Sequence, residues 1–175
     1  MQEAFNHGTN MSNVYLLIGG NRGDRLSYLK EAVNRIRQDI GSIILSSSVY
    51  ETEPYGFKDE SMFLNQCLLV ETELQPRQIL KSITEIETSL GRKKKKGTMQ
   101  GRTIDIDILF YDDLIIHNKW LIIPHPEFHK RNFAIIPVSE INPGFIHPVF
   151  GKKVKDLLEE STDTHKVAKF SGTRN

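Results

Sequence analysis

An α+β fold with a βαββαβ core of the ferredoxin-like kind is what this sequence predicts, and three observations carry the prediction. Four short runs rich in β-branched and other apolar residues alternate with two stretches whose apolar residues recur at helical spacing. Glycine, proline and capping residues stand at the junctions. The resulting order of strand, helix, strand, strand, helix, strand closes as a split βαβ, with both helices on one face of an antiparallel sheet.

Val14 to Ile18 is the first strand, closed by Gly19-Gly20-Asn21. Asp24 or Asn21 caps a helix whose apolar positions are Leu26, Leu29, Val33 and Ile36. Ile43 to Tyr50 reads as a second strand and Phe63 to Thr72 as a third, joined by a loop with turn chemistry at Pro54 and Gly56. Pro76 opens a second helix through Ile79, Leu80, Ile83, Ile86 and Leu90, which Gly91 stops. Ile104 to Tyr111 is the fourth strand. Additional C-terminal elements follow Leu114, including helices near Phe133 to Ile141 and from Val154 to Glu160. Residues 1–12 read as a flexible extension with Met11 as an alternative start, 13–161 as one domain, and 162–175 as a polar tail.

A chain of 175 residues with 38% hydrophobic content suits a single domain with a sizeable core. Its formal net charge of +1 argues against a dedicated polyanion binder, so any affinity for phosphate has to be local. The single cysteine, Cys67, excludes an internal disulfide and, followed by Leu68-Leu69-Val70, reads as a buried strand thiol in a reducing compartment. No apolar run approaches the roughly 18 residues that span a bilayer, and Met1 to Asn13 is polar with no signal-type core. These features predict a cytoplasmic monomer with neither nucleic acid nor membrane as a partner.

The most informative segment is Arg102-Thr103-Ile104-Asp105-Ile106-Asp107-Ile108. Strand alternation puts Asp105 and Asp107 on one face and the three isoleucines on the other, toward a core. Two carboxylates roughly 7 Å apart on a pleat are tolerated when they are solvated or when a cation sits between them. Oxygen-only ligands favour a hard ion, Mg²⁺ or Mn²⁺, of the kind that also holds phosphate. The competing reading is a solvated strand face.

Preceding this strand, Arg92-Lys93-Lys94-Lys95-Lys96-Gly97 is a cationic stretch, read either as a solvated loop or as a lid that closes over polyphosphate. Arg102, anchored by the strand, is the better candidate for bidentate phosphate contact, with an ion pair to Asp105 as its competing role. His125 and His129 are four apart, but Pro126 stands where a zincin glutamate would, which makes zinc improbable and leaves His125 as a phosphate donor. His147 receives no role.

Taken together, these motifs resemble the 6-hydroxymethyl-7,8-dihydropterin pyrophosphokinases of folate biosynthesis. The resemblance runs from Ile18-Gly19-Gly20-Asn21 to about Glu160. It rests on Tyr50-Glu51-Thr52-Glu53-Pro54-Tyr55-Gly56, Phe63-Leu64-Asn65, Ile86-Glu87 leading to Gly91-Arg92, Arg102 to Leu109, Pro124-His125-Pro126 and Arg131-Asn132-Phe133. It implies transfer of pyrophosphate from ATP to the pterin hydroxymethyl group with release of AMP, using two Mg²⁺ ions. Asp105 and Asp107 match metal ligands and, with Arg92 and Arg102, the catalytic set. Phe63 and Phe133 match an aromatic sandwich around the pterin, and Asn65 matches the side chain that reads its polar edge. Thr52, Glu53, Pro54 and Tyr55 complete that pocket. Glu87, Arg92, Lys94, Arg102, Ile108, His125 and Arg131 match nucleotide-site positions.

Two departures stand out against that pattern. Lys94 replaces a frequent arginine and loses its planar fork, and Met99-Gln100-Gly101-Arg102 replaces a Trp-Gly-Pro-Arg segment, so a looser, slower lid is expected. Three rival readings are separable. An RNA-binding module would use sheet-face aromatics, a basic strand and an RNP1 signature, whereas this strand face carries two aspartates. A metal-free regulatory domain would bind nucleotide without divalent dependence, and a nucleotidyl transferase would release a different product.

Overall fold

The computed structural model describes residues 11–56, 59–92 and 101–172. Its centre is β1 (Ser12–Gly20), antiparallel on one side to β4 (Phe63–Thr72) and on the other to β5 (Asp105–Tyr111). Both β2 (Ser42–Ser46) and β3 (Tyr50–Thr52) pair with β4, and β8 (Val167–Lys169) adds outside β3, giving the order β5-β1-β4-β3-β8 with β2 also on β4. A small hairpin, β6 (Ile116–His117) and β7 (Ile122–Ile123), forms a second sheet whose Ile123 joins the core.

The first strand runs two residues further than its apolar pattern indicates. Gly19 and Gly20 pair with Asn65 and Leu64, so their backbone groups stay in the ladder. What sequence predicts as one strand from Ile43 to Tyr50 is two. At the break, Ser47 N–H donates to the Cys67 carbonyl while the Ser47 hydroxyl accepts from Cys67 N–H, both at 2.9 Å, a side-chain bond standing in for a ladder bond.

Helix α1 (Arg25–Asp39) starts at Asp24, whose carboxylate accepts from Ser27 N–H at 3.1 Å. Helix α2 (Pro76–Ser89) opens with Pro76 and a reciprocal Gln75/Gln78 box, and buries Ile79, Ile83 and Ile86. Both helices join one core with Val14, Leu16 and Ile18 of β1, Leu64, Leu68 and Val70 of β4, and Ile106 and Ile108 of β5. The opposite face is covered as well, in contrast to the one-sided arrangement predicted. There α3 (Asn132–Ile141) and α4 (Val154–Glu159) bury Ala134, Ile135, Val138, Val154 and Leu157 against Tyr15, Leu17, Cys67, Leu69 and Phe110. Burial pushes the Cys67 thiol far above its usual range, as expected of an inert strand thiol. The β1 and β5 residues at the other end of that face, Gly19, Asp105 and Asp107, line a cleft instead.

A β-bulge shapes this end. Tyr15 faces Phe110 and Leu16 faces Ile108, so Leu109 has no register partner on β1 and lies on the same core face as Phe110. The carbonyl of Leu109 accepts from His125 N–H at 2.9 Å, fixing the Pro-flanked segment beside the two aspartates.

The segment read as a polar tail carries β8, with Val167 opposite Thr52, Lys169 opposite Tyr50, and Phe170 N–H donating to the Val49 carbonyl at 2.8 Å. Sparse apolar residues hid it, because an edge strand needs only backbone pairing on one side. Glu140 of α3 ties β3 and β8 together, accepting from Ser48 N–H (2.8 Å), Ser48 Oγ (2.7 Å), Tyr50 OH (3.1 Å) and Lys169 Nζ (2.8 Å). Burial alone raises this carboxyl, but Lys169, Ser48 and Tyr50 outweigh it and lower it from 4.5 to about 2. A depressed carboxylate contributes stability that is present above its ordinary 4.5 and lost as pH falls through about 2. The Tm gap between wild type and Glu140→Gln should therefore be widest above that window and close across it. A gap independent of pH would contradict this assignment.

Candidate active site

Residues from five parts of the chain meet in a cleft of about 220 Å³. Leu17 and Gly19 of β1, Phe63 and Asn65 of β4, and Asp105 and Asp107 of β5 share one sheet face by strand alternation. Thr52, Glu53 and Tyr55 form one wall, and His125, Arg131 and Phe133 the other, with Arg102 beside Asp105. Pro54 is half-buried between its two lining neighbours.

One side of the cleft is aromatic with a polar edge. Phe63 and Phe133 line it, Tyr55 meets Phe133 at 5.7 Å between centroids, and the Arg131 guanidinium lies 5.2 Å from the Tyr55 ring. Asn65 is buried and donates through Nδ2 to Thr52 Oγ1 at 2.7 Å, which orients its amide. Room for that amide comes from Gly19, since a Cβ there would lie 2.2 Å from Asn65 Oδ1. Gly20 has a different reason, because a Cβ would lie 2.2 Å from the Thr103 carbonyl. The tight approach brings Arg102 to β1, where its carbonyl accepts from Asn21 N–H at 2.9 Å and its N–H donates to Asn21 Oδ1 at 2.9 Å.

The other side is charged. Arg102 pairs with Asp105 Oδ2, and Arg92 Nη1 reaches Asp105 Oδ1 at 2.7 Å. Glu87, which the resemblance places at the nucleotide, lies buried behind β5, accepting from Ile106 N–H at 2.9 Å and pairing with Arg92. It aims Arg92, and burial raises its carboxyl while Ile106 N–H and Arg92 oppose that. Burial first and the neighbouring Asp105 second push the Asp107 carboxyl up to about 7, against the pull of Arg102 and Arg131. Burial and then the Arg131 charge lower the His125 pKa. Its Nδ1 accepts from Glu127 N–H at 3.2 Å, which assigns the proton of the neutral ring to Nε2. Arg131 Nε is buried with no hydrogen-bond partner among the described residues.

A second groove of about 330 Å³ adjoins the first, and Asp107 and His125 line both. Leu80, Ile108, Trp120, Leu121 and Ile122 make it largely apolar. Ile108 thus belongs both to the core and to this groove. Sequence reasoning overlooked Trp120, whose signal was its being the only tryptophan, and which is 49% exposed with Arg77 5.9 Å from its ring. Lys94 and Met99, and with them the expected lid, lie outside the described residues.

The family model for 7,8-dihydro-6-hydroxymethylpterin-pyrophosphokinase matches residues 15–143. The chain belongs to this family. Among relatives of this pyrophosphokinase, the 2-amino-4-hydroxy-6-hydroxymethyldihydropteridine pyrophosphokinase of Aquifex aeolicus is 40% identical over 152 residues, covering 87% of this chain and 94% of the relative. The Bacillus subtilis protein of the same name is 38% identical over 133 residues, covering 75% of this chain and 79% of its own. A crystal structure of wild-type Plasmodium falciparum HPPK-DHPS with pteroate superimposes with a TM-score of 0.72 at 18% identity. That likeness concerns the fold alone, and the pyrophosphokinase chain spans 42% of that longer protein while the match covers 86% of its own length.

Proposed function

We propose that this chain transfers the β,γ-pyrophosphoryl group of ATP to the hydroxymethyl oxygen of 6-hydroxymethyl-7,8-dihydropterin, releasing AMP, as a step of folate biosynthesis. Family membership supports the reaction class. The observation that carries the assignment of sites is the meeting of two differently built cavities at Asp107 and His125. The aromatic cleft with its amide suits the pterin, and the apolar Trp120 groove suits the nucleoside. A pterin stacked between Phe63 and Phe133 would present its pyrimidine-like edge to Asn65 and Thr52. That pose directs its hydroxymethyl group toward β5.

In the reaction, the hydroxymethyl oxygen forms a bond to the β-phosphorus as the bond from that phosphorus to the AMP oxygen breaks, and the hydroxyl proton is lost to solvent. Arg131, Arg102 and the neutral His125, through Nε2–H, contact the phosphates, which holds the β-phosphorus in line. Arg92 and Arg102 both pair with Asp105, so phosphate and aspartate draw on the same guanidinium groups.

Two oxygen-donor carboxylates on one sheet face, where Asp107 is burdened by burial and by its neighbour, fit a hard divalent cation. Asp105 and Asp107 would hold Mg²⁺, two ions in all by family resemblance. When bound, such ions neutralise phosphate charge and polarise the transferring group. The sheet order supports reading the core as ferredoxin-like, with β2 and β3 sharing one strand position. Among the described residues no helix is long and apolar enough to cross a membrane.

Chromatography of nucleotides after incubation with ATP, Mg²⁺ and the pterin tests the reading. AMP that forms only when all three are present is the expected result. ADP, or AMP made without the pterin, would overturn it.

A further inference from the structure

Beyond the end of the family match at residue 143, the C-terminal segment reaches both walls of the cleft. The Asp163 carboxylate is nearly inaccessible, at 2% side-chain exposure, and its two oxygens face different partners. Oδ2 accepts from Asn132 N–H at 2.8 Å, at the start of the helix that carries Phe133. Oδ1 accepts from His165 N–H at 3.0 Å and lies 2.6 Å from His165 Nδ1. Asn132 Nδ2 returns a bond to the Asp163 carbonyl at 2.9 Å. So oriented, the His165 ring sits 4.9 Å from that of Tyr55. Glu53 is tied to the same segment, with its carboxylate accepting from Lys166 N–H at 3.2 Å.

Tyr55 sits three residues past Thr52, where β3 ends, and Gly56 follows it with a φ of 80°. Its ring is therefore placed by side-chain neighbours: Phe133, Arg131 and, from outside the cleft, His165. We propose that His165 and Asp163 are positioning residues for pterin binding, with Asp163 fixing the imidazole and the start of the Phe133 helix as one unit. They hold Tyr55 against Phe133 and so fix the Phe133 ring on which the flat pterin stacks, with its ordering cost already met. The groups on β5 that act on the phosphates are untouched by this segment. This inference rests on the cleft being the pterin site.

Steady-state kinetics of wild type, His165→Ala and His165→Phe, each with its Tm, test it. A ring pair of this kind corresponds to about a two- to tenfold effect. His165→Ala should raise KM for the pterin by about that factor, with kcat and KM for ATP unchanged and with Tm lowered to a similar extent in both His165 variants, since each loses the bond to the Asp163 carboxylate. His165→Phe, which keeps a ring against Tyr55, should restore most of the loss. An unmoved pterin KM in His165→Ala would overturn the inference while leaving the pyrophosphokinase reading intact. A rise in both KM values would also overturn it, as a merely structural role. Wild type that makes no AMP would overturn the parent reading, and this inference with it.

Discussion

Asp107→Asn should abolish turnover while leaving the fold intact. Divalent-metal assistance to phosphoryl-type transfer is worth several kcal/mol, and each ~1.4 kcal/mol is a factor of ten in rate, so kcat should fall by about 10³-fold or more. Stability should hold or rise. Burial and Asp105 raise the Asp107 carboxyl to about 7, so above that pH the ionised side chain costs the folded protein free energy, and an amide removes the charge. Ile106 and Ile108 on the opposite face keep their core contacts. AMP release measured with Tm on one preparation checks both halves. A well-folded variant turning over at near-native rate would remove the aspartate pair from the mechanism.

Gly19→Ala should separate pterin recognition from everything else. The new methyl would lie 2.2 Å from Asn65 Oδ1, the far end of a side chain, and 3.1 Å from the Leu64 carbonyl. The amide is the part that yields, and it leaves the orientation its bond to Thr52 imposes. Losing a buried hydrogen-bonding edge costs about 1–3 kcal/mol, so pterin affinity should drop between about fivefold and about 150-fold. KM for ATP should stay where it is, because His125, Arg102 and the Trp120 groove are undisturbed. Gly20→Ala is the contrasting variant. Its methyl would lie 2.2 Å from the Thr103 backbone carbonyl, so the chain itself must shift and Tm should fall. Pterin binding measured by calorimetry decides the first case, and unchanged affinity in Gly19→Ala would contradict the placement of Asn65.

How much of this was legible in the sequence depended on whether a signal was local. The aspartates were legible because period-two alternation sorts Asp105 and Asp107 from Ile104, Ile106 and Ile108 without reference to the rest of the fold. Asp24 and the Pro76 start were legible for the same reason. Phe63 and Phe133 were not, since an aromatic on an apolar strand or helix reads as core until one knows that β4 and α3 both begin at the cleft. Family resemblance supplied them. The break at Ser47 escaped because it depends on a bond from a side chain to Cys67, a residue twenty positions away. The role of residues 161–172 was hidden by their polarity, as their anchors are backbone pairs, the Asp163 carboxylate and one half-buried aromatic, Phe170, packed against the core. Glu87, expected at the nucleotide by resemblance, is buried, accepts from Ile106 N–H and supports Arg92.

Pyrophosphoryl transfer, the reaction of the family, requires that the bond broken lie between the α- and β-phosphates. ATP labelled with ³²P at the β-phosphorus, incubated with Mg²⁺ and the pterin, tests it directly. All transferred label should appear in the pterin product, with AMP unlabelled. Label retained in a nucleotide diphosphate would mean attack at the γ-phosphorus and would contradict the account.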